Sequence, residues 1–183
     1  MRYCLIKKVV SKMFGKLKNL FGGSSAIEIA SPVAGKAVPL SEVPDPTFAQ
    51  GILGQGAAVI PSEGRITAPA DGTIDVMFDT GHAVSLNTAD GVELLIHVGI
   101  DTVQLGGSHY KARCKAGDKV KKGDLLIEFD PDAIRADGFE IVTPVIVCNT
   151  DAFASVSPAA DATPAEDWPL MATVRDSPAG AKM

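Results

Sequence analysis

Residues 78–102 read FDTGHAVSLNTADGVELLIHVGIDT, and this stretch decides the fold. Residues 83–87 and 92–98 carry apolar side chains at strand spacing, and Asp90-Gly91 between them is a turn signal. Joined through Asn87 to Gly91, the two read as antiparallel strands of a hairpin centred near Asp90. Positions at roughly equal distance from that turn lie side by side, an arrangement that can bring His82 and His97, 15 residues apart, to face each other. Along the second strand Glu93, Leu95 and His97 share one face, and Leu94, Ile96 and Val98 share the other. With the second set in the core, His97 points outward.

The same texture extends on both sides. Short apolar or alternating stretches at 26–30, 57–61, 72–78, 125–129 and 141–148 are separated by turn signals such as Asp71-Gly72 and Lys122-Gly123-Asp124. This is the pattern of an all-β, antiparallel sandwich or barrel. Only residues 46–53 have a helical look, for a turn or two. Past residue 156 the chain turns Pro/Ala/Asp-rich, with Pro158, Pro164, Pro169 and Pro178, and a terminal strand is expected around 170–174. The organisation read from this is a β domain over 26–156 and a tail over 157–183, preceded by an arm and a linker.

The arm is residues 1–21, where Ile6, Val10, Met13, Leu17, Leu20 and Phe21 recur at helical spacing. Gly22-Gly23-Ser24-Ser25 follows as a linker. The arm holds six bases and no acid. It leaves 11 bases and 22 acids over the rest, so a chain of net charge −5 divides into a +6 helix and a −11 body. A body that acidic excludes a nucleic-acid-binding surface. A basic amphipathic helix on a tether suits an anionic membrane surface.

The 183 residues at 46% hydrophobic and 21% charged make one domain's worth of chain with material for a core. A disordered acidic tail and a collagen-like repeat are excluded. Cys4, Cys114 and Cys148 are scattered and odd in number, which fits neither a disulfide framework nor a zinc site and points to a reducing, cytoplasmic compartment. No apolar run approaches the roughly 20 residues that span a bilayer. The arm lacks the continuous apolar stretch of a signal peptide. Met1 and the loose tail are what a free-standing protein is expected to show.

Together, PADGTI, TGHAV, GVELLIHVGIDTVQL, VKKGDLLIEFD and TPVIVCN resemble, in register from about 27 to 151, the glucose-type enzyme IIA of the bacterial sugar phosphotransferase system. The resemblance implies a sandwich of the duplicated hybrid motif type and a phosphocarrier. His97 would take a phosphoryl group on Nε2 from the phosphohistidine of HPr and pass it to a cysteine of an enzyme IIB/IIC sugar permease. His82 would donate a hydrogen bond to that group, and Thr80 would orient His82. A neutral imidazole nitrogen is a competent nucleophile near pH 7. No cofactor is implied, and no metal is required. The partner surface would be an apolar ring at Phe48, Leu53, Phe78, Leu95 and Val98, with Asp45 and Asp101 as rim charges for a basic partner.

Pro46 and Thr47 depart from the family, which more often has apolar residues there, and Val98 stands where Phe is common. His109, in GGSHYKARC, matches no functional position and reads as a solvated loop residue, and Cys114 and Cys148 read as inert. A zinc hydrolase of similar β architecture needs H-x-x-x-D and H-x-H. Here Leu86 stands four positions after His82 and Gly99 two after His97, so the three protein ligands of a catalytic zinc are lacking. Fortuitous zinc between His82 and His97 would need a carboxylate from a partner protein. A biotinyl or lipoyl carrier needs a lysine where the chain reads IEFDPD. Pure regulation by binding differs from the phosphocarrier reading only in emphasis.

Deleting residues 1–21 is expected to weaken co-sedimentation with anionic vesicles, and equal sedimentation without them would contradict membrane docking.

Overall fold

Alternating burial along the strands shows which residues build the core. In the computed structural model, which describes residues 26–158 and 169–174, thirteen strands form three antiparallel sheets. The expected helix over 1–21 and the linker over 22–25 lie outside the described residues. The largest sheet takes β2 (Gly35–Pro39), β3 (Gln55–Pro61), β5 (Gly72–Met77), β6 (Ala83–Thr88), β7 (Glu93–His97), β9 (Lys119–Val120) and β11 (Thr143–Val147), in the order β2-β3-β11-β7-β6-β5-β9. A second sheet is β4 (Arg65–Thr67), β10 (Leu125–Phe129) and β8 (Tyr110–Ala112), with β10 central. The third sets β13 (Pro169–Val174) between β1 (Ala26–Ala30) and β12 (Ser155–Pro158).

The central hairpin turns at the expected centre, but the residue opposite His97 is Ala83 and not His82. Ala83 pairs with His97, Val84 with Ile96 and Leu86 with Leu94, which puts Asp90 at the centre of the turn. Val84, Leu86, Leu94 and Ile96 bury completely or nearly so, and with Val145 and Val147 of β11 they join the main core. Strand β11 is buried along its whole length, so the sheet has two covered faces there. On the second face Ile146, Ala58 and Val38 form a smaller cluster with Val43 and Phe48. The cover is the segment from Leu40 to Ala49, which includes α1 (Pro46–Ala49). Asp45 caps α1 by accepting from the Thr47 N–H at 2.7 Å, and Pro46 supplies the preset φ of a first helical residue. The cover thereby carries Asp45 and Phe48 to the side of the sheet that His97 faces.

The expected terminal strand is present as β13, but it is no appendage. Its backbone pairs with β1 on one side and β12 on the other, so it is the middle strand of its sheet, and Leu170 and Met171 are fully buried. The expected boundary at 156/157 falls inside β12. A second short helix, α2 (Pro131–Ala136), stands where only strands and turns were expected. Its start is written in the sequence, since the Asp130 carboxylate accepts from the Asp132 and Ala133 N–H groups and Pro131 opens the helix.

Leu170→Ala is expected to destabilise the fold by about 2–5 kcal/mol, as core truncations do. Chemical denaturation measures this, and a change below about 0.5 kcal/mol would show β13 to be dispensable.

Candidate functional site

The turn from β5 to β6 is closed by the Gly81 N–H donating to Phe78 O at 2.7 Å and the Phe78 N–H donating to Ala83 O at 3.1 Å. Gly81 takes φ +68, a conformation that favours glycine. The turn delivers Thr80 and His82 to the end of β6, and the opposing strand ends at His97. The ladder continues one rung further, with the Val98 N–H donating to His82 O at 2.7 Å. His82 and His97 are therefore diagonal neighbours across the sheet, with ring centroids 4.8 Å apart and an edge-on angle of 77°. Phenylalanines flank them. Phe78 lies 5.5 Å from the His82 ring and Phe48 lies 5.2 Å from the His97 ring.

The hydrogen bonds give the two imidazoles different tasks. His97 Nδ1 lies 2.7 Å from the Gly99 carbonyl oxygen, which only accepts, so Nδ1 carries the proton and neutral His97 presents a free lone pair at Nε2. His82 Nδ1 meets the Thr80 hydroxyl. When that hydroxyl donates, His82 keeps its proton on Nε2 and is a hydrogen-bond donor.

Both rings are held neutral. Burial, with a smaller contribution from the neighbouring His97, lowers the His82 pKa from 6.5 to about 4, and His82 is only 5% exposed. Burial also lowers the His97 pKa, against the Gly99 hydrogen bond and the negative charges of Asp45 and Asp101, which pull it upward. The pair thus offers a nucleophilic nitrogen and a neutral donor side by side, at no stage needing two adjacent positive charges.

The structure gathers most of the expected residues and displaces two. His82 and His97 meet, Thr80 is bonded to His82, and Asp45 and Asp101 act on the charge of His97. Phe78 and Leu53 are exposed, and Leu95 is half-buried against the smaller cluster. Val98 is a correction, because it is 0% exposed and follows the core-facing alternation of Leu94 and Ile96. Phe48 is also corrected. At 5% exposed it seals the His97 ring and belongs to the cluster beneath it, offering a partner little surface. Ile52 and Val103 are exposed and went unnoticed in the sequence. They sit on the segments that supply Phe48 and Asp101, and single apolar residues in turns carry no periodic signal. His109 is more than a solvated loop residue, since its Nε2 pairs with Asp137 Oδ2 at 2.8 Å.

Both cysteines considered are held as thiols. Burial and then Asp118 push Cys114 up to about 11, and burial with Glu93 raises Cys148. Among the described residues no three His, Cys, Asp or Glu side chains gather as a metal-holding group, which leaves the zinc-hydrolase reading without support. Among the same residues no helix is long and apolar enough to cross a membrane.

Fold and site together define an antiparallel β-sandwich with a paired-histidine centre in a partly apolar setting. Residues 27–153 match the family described as phosphoenolpyruvate-dependent sugar phosphotransferase system, EIIA 1, and the chain belongs to that family. It is 51% identical over 130 residues to a glucose-specific EIIBCA component of Corynebacterium glutamicum, covering 71% of this chain and 19% of that protein. It is 40% identical to a glucose-specific EIIA component of Staphylococcus epidermidis, covering 79% of this chain and 86% of that one. The solved glucose permease IIA of Mycoplasma capricolum superposes with a TM-score of 0.74 at 28% identity, covering 80% of this chain and 96% of that one. The chain spans about a fifth of the length of the EIIBCA relatives it matches.

The lowered His82 pKa has a consequence for stability. The unfolded chain binds the His82 proton below pH 6.5 and the native chain only below about 4, so stability falls as the pH drops through that window. The loss is expected to reach about 3 kcal/mol below both values, and His82→Asn should flatten the slope. Unfolding titrations from pH 7 to 4 measure it, and equal slopes in the two proteins would contradict a neutral buried His82.

Proposed function

We propose that this chain is a phosphocarrier of the sugar phosphotransferase system, accepting a phosphoryl group on His97 Nε2 from phospho-HPr and passing it to a cysteine of an enzyme IIB. The observation that carries the reading is the His97 Nδ1 to Gly99 carbonyl bond, which leaves Nε2 as the nucleophile beside His82. In the accepting step the donor's N–P bond breaks while the bond from phosphorus to His97 Nε2 forms. No proton has to leave Nε2 first, because none is there. His82 then donates from Nε2 to a phosphoryl oxygen, and Thr80 holds it in that orientation. In the second step the His97 N–P bond breaks as a thiolate of the partner attacks phosphorus. Cys114 and Cys148, kept as thiols, do not compete.

An EIIB/EIIC partner is supported by relatives named EIIBCA components, whose names join the three units. HPr as donor rests on family membership and on the acidic body, with Asp45 and Asp101 beside the site suiting a basic partner. Exposed Ile52, Leu53, Phe78 and Val103, with half-buried Leu95, are the apolar contacts such partners would use in turn. Both exchanges take place in the cytoplasm, and residues 1–21 are the part suited to hold the carrier on an anionic membrane. The reading assigns no sugar, since the relatives' names span glucose, beta-glucoside and mannose.

Incubation with enzyme I, HPr and phosphoenolpyruvate should add one acid-labile, base-stable phosphoryl group by mass, and His97→Ala should add none. Phosphorylation of that variant would overturn the assignment. His82→Gln should still accept the group but pass it on about 100-fold more slowly, the scale of losing one positioned donor.

A further inference from the structure

Strand β7 ends at His97, yet the next three peptide groups are each fastened. The His97–Val98 peptide donates its N–H to His82 O at 2.7 Å. The Val98–Gly99 peptide offers its carbonyl oxygen to two hydroxyls at once, Thr102 Oγ1 at 2.8 Å and Tyr110 Oη at 2.9 Å. The Gly99–Ile100 peptide donates its N–H to Glu140 O at 2.9 Å and accepts His97 Nδ1 on its oxygen at 2.7 Å. Two of these anchors are backbone contacts that the fold supplies regardless of side chain. The middle one is made entirely by side chains.

That middle peptide matters because it leads into Gly99, whose carbonyl holds His97 Nδ1. Gly99 takes φ +81, and a Cβ there would lie 2.6 Å from Thr102 Cγ2 and 2.8 Å from Glu140 O. No ladder partner fixes the Val98–Gly99 plane. The two hydroxyls fill both lone pairs of its carbonyl and stop it from turning. The Gly99–Ile100 peptide has one other backbone hold, the Ile100 N–H on Glu140 O, so releasing the Val98 carbonyl lets the Gly99 carbonyl pivot about that single bond and away from His97 Nδ1. A neutral imidazole without that acceptor distributes its proton over both nitrogens, and the fraction protonated at Nε2 has no lone pair for attack.

Tyr110 also packs on the turn that carries the other histidine. A Cβ on Gly81 would lie 3.2 Å from Tyr110 Cβ, so the tyrosine stem rests on the backbone between Thr80 and His82. Its ring stacks on Phe129 with centroids 6.3 Å apart, and Thr102 is buried completely. Tyr110 is thus held between two supports, with its hydroxyl at Val98 and its stem at Gly81. The preceding residue is held too: His109 sits at φ +71, pairs with Asp137, and receives the Asp130 N–H on its carbonyl at 3.0 Å.

The geometry points to Thr102 and Tyr110 as positioning residues for phosphoryl transfer: their hydroxyls jointly fix the Val98 carbonyl, and through it the Gly99 carbonyl that keeps the His97 proton on Nδ1. This deepens the phosphocarrier reading and rests on it.

The test uses the full chain with ¹⁵N-labelled histidine, comparing Tyr110→Phe, Thr102→Val and the double variant with the unaltered protein. Long-range ¹H–¹⁵N spectra report the His97 tautomer directly, and a structural role alone would not move it in a folded variant. In the double variant the His97 proton is expected to spread over both nitrogens. Phosphoryl acceptance from phospho-HPr should fall about 10-fold in kcat, with KM for HPr changed less than about twofold. Thr102→Ser, which keeps the hydroxyl, should match Thr102 in either background. An unaltered tautomer in the folded variants overturns the proposal, and so does an altered tautomer with unaltered kcat. If the double variant does not fold, the single variants decide by the same two criteria. Failure of the unaltered protein to accept a phosphoryl group would instead remove the phosphocarrier reading, while the spectra would still decide whether the hydroxyls set the tautomer.

Discussion

The site depends on one hydrogen bond, from the Val98 N–H to the His82 carbonyl, the last rung of the β6–β7 hairpin. It is where the register of the hairpin becomes the spacing of two imidazoles. The register itself is set at the opposite end. There the Thr88 N–H donates to Val92 O, the Val92 N–H donates to Thr88 Oγ1, and Gly91 takes φ +76 to close the turn. A slip of one residue would send His97 into the core and Ile96 to the surface. The buried Val84, Leu86, Leu94 and Ile96 forbid that slip, because every one of them would lose its packing. Core packing and active-site geometry are in this sense the same constraint.

The electrostatics follow from the packing. Placing two imidazoles at 4.8 Å in a half-buried setting penalises charge on either, and burial is the larger cause at both. Asp45 and Asp101 lean the other way at His97, so its basicity is a balance between desolvation and nearby carboxylates. A neutral nucleophile beside a neutral donor suits a group that arrives with its own negative charge and must later leave. Full protonation would block the attack, and a stronger positive field would hold the phosphoryl group too tightly for onward transfer.

The hairpin and most long strands were legible because apolar alternation and turn residues act locally, and the outward orientation of His97 followed from period two alone. Strands β4 and β9 were not, since at three and two residues they are too short to show a period. In β2 and β12 a proline ends the strand and masks the pattern. The place of β13 in the middle of a sheet depends on pairing with β1, some 140 residues away in sequence, and no local signal encodes it. Helix α2 was encoded, in the Asp130-Pro131 start, and was passed over because the surrounding texture was β. At the site, the histidine pair and Thr80 rested on a family resemblance, while placing Val98 on the surface contradicted the alternation that already put it inside. The hydroxyls of Thr102 and Tyr110 converge from a short turn and an edge strand, and nothing in the spacing of two common residues announces a shared carbonyl.

Phosphoryl acceptance turns on which imidazole nitrogen of His97 is left free by the Gly99 carbonyl. Nitrogen–phosphorus coupling in the ¹⁵N-labelled, phosphorylated protein reads this directly. The expected result is phosphorus bonded to Nε2 of His97, with Nδ1 still protonated and bound to the carbonyl. Phosphorus on Nδ1, or on His82, would contradict it.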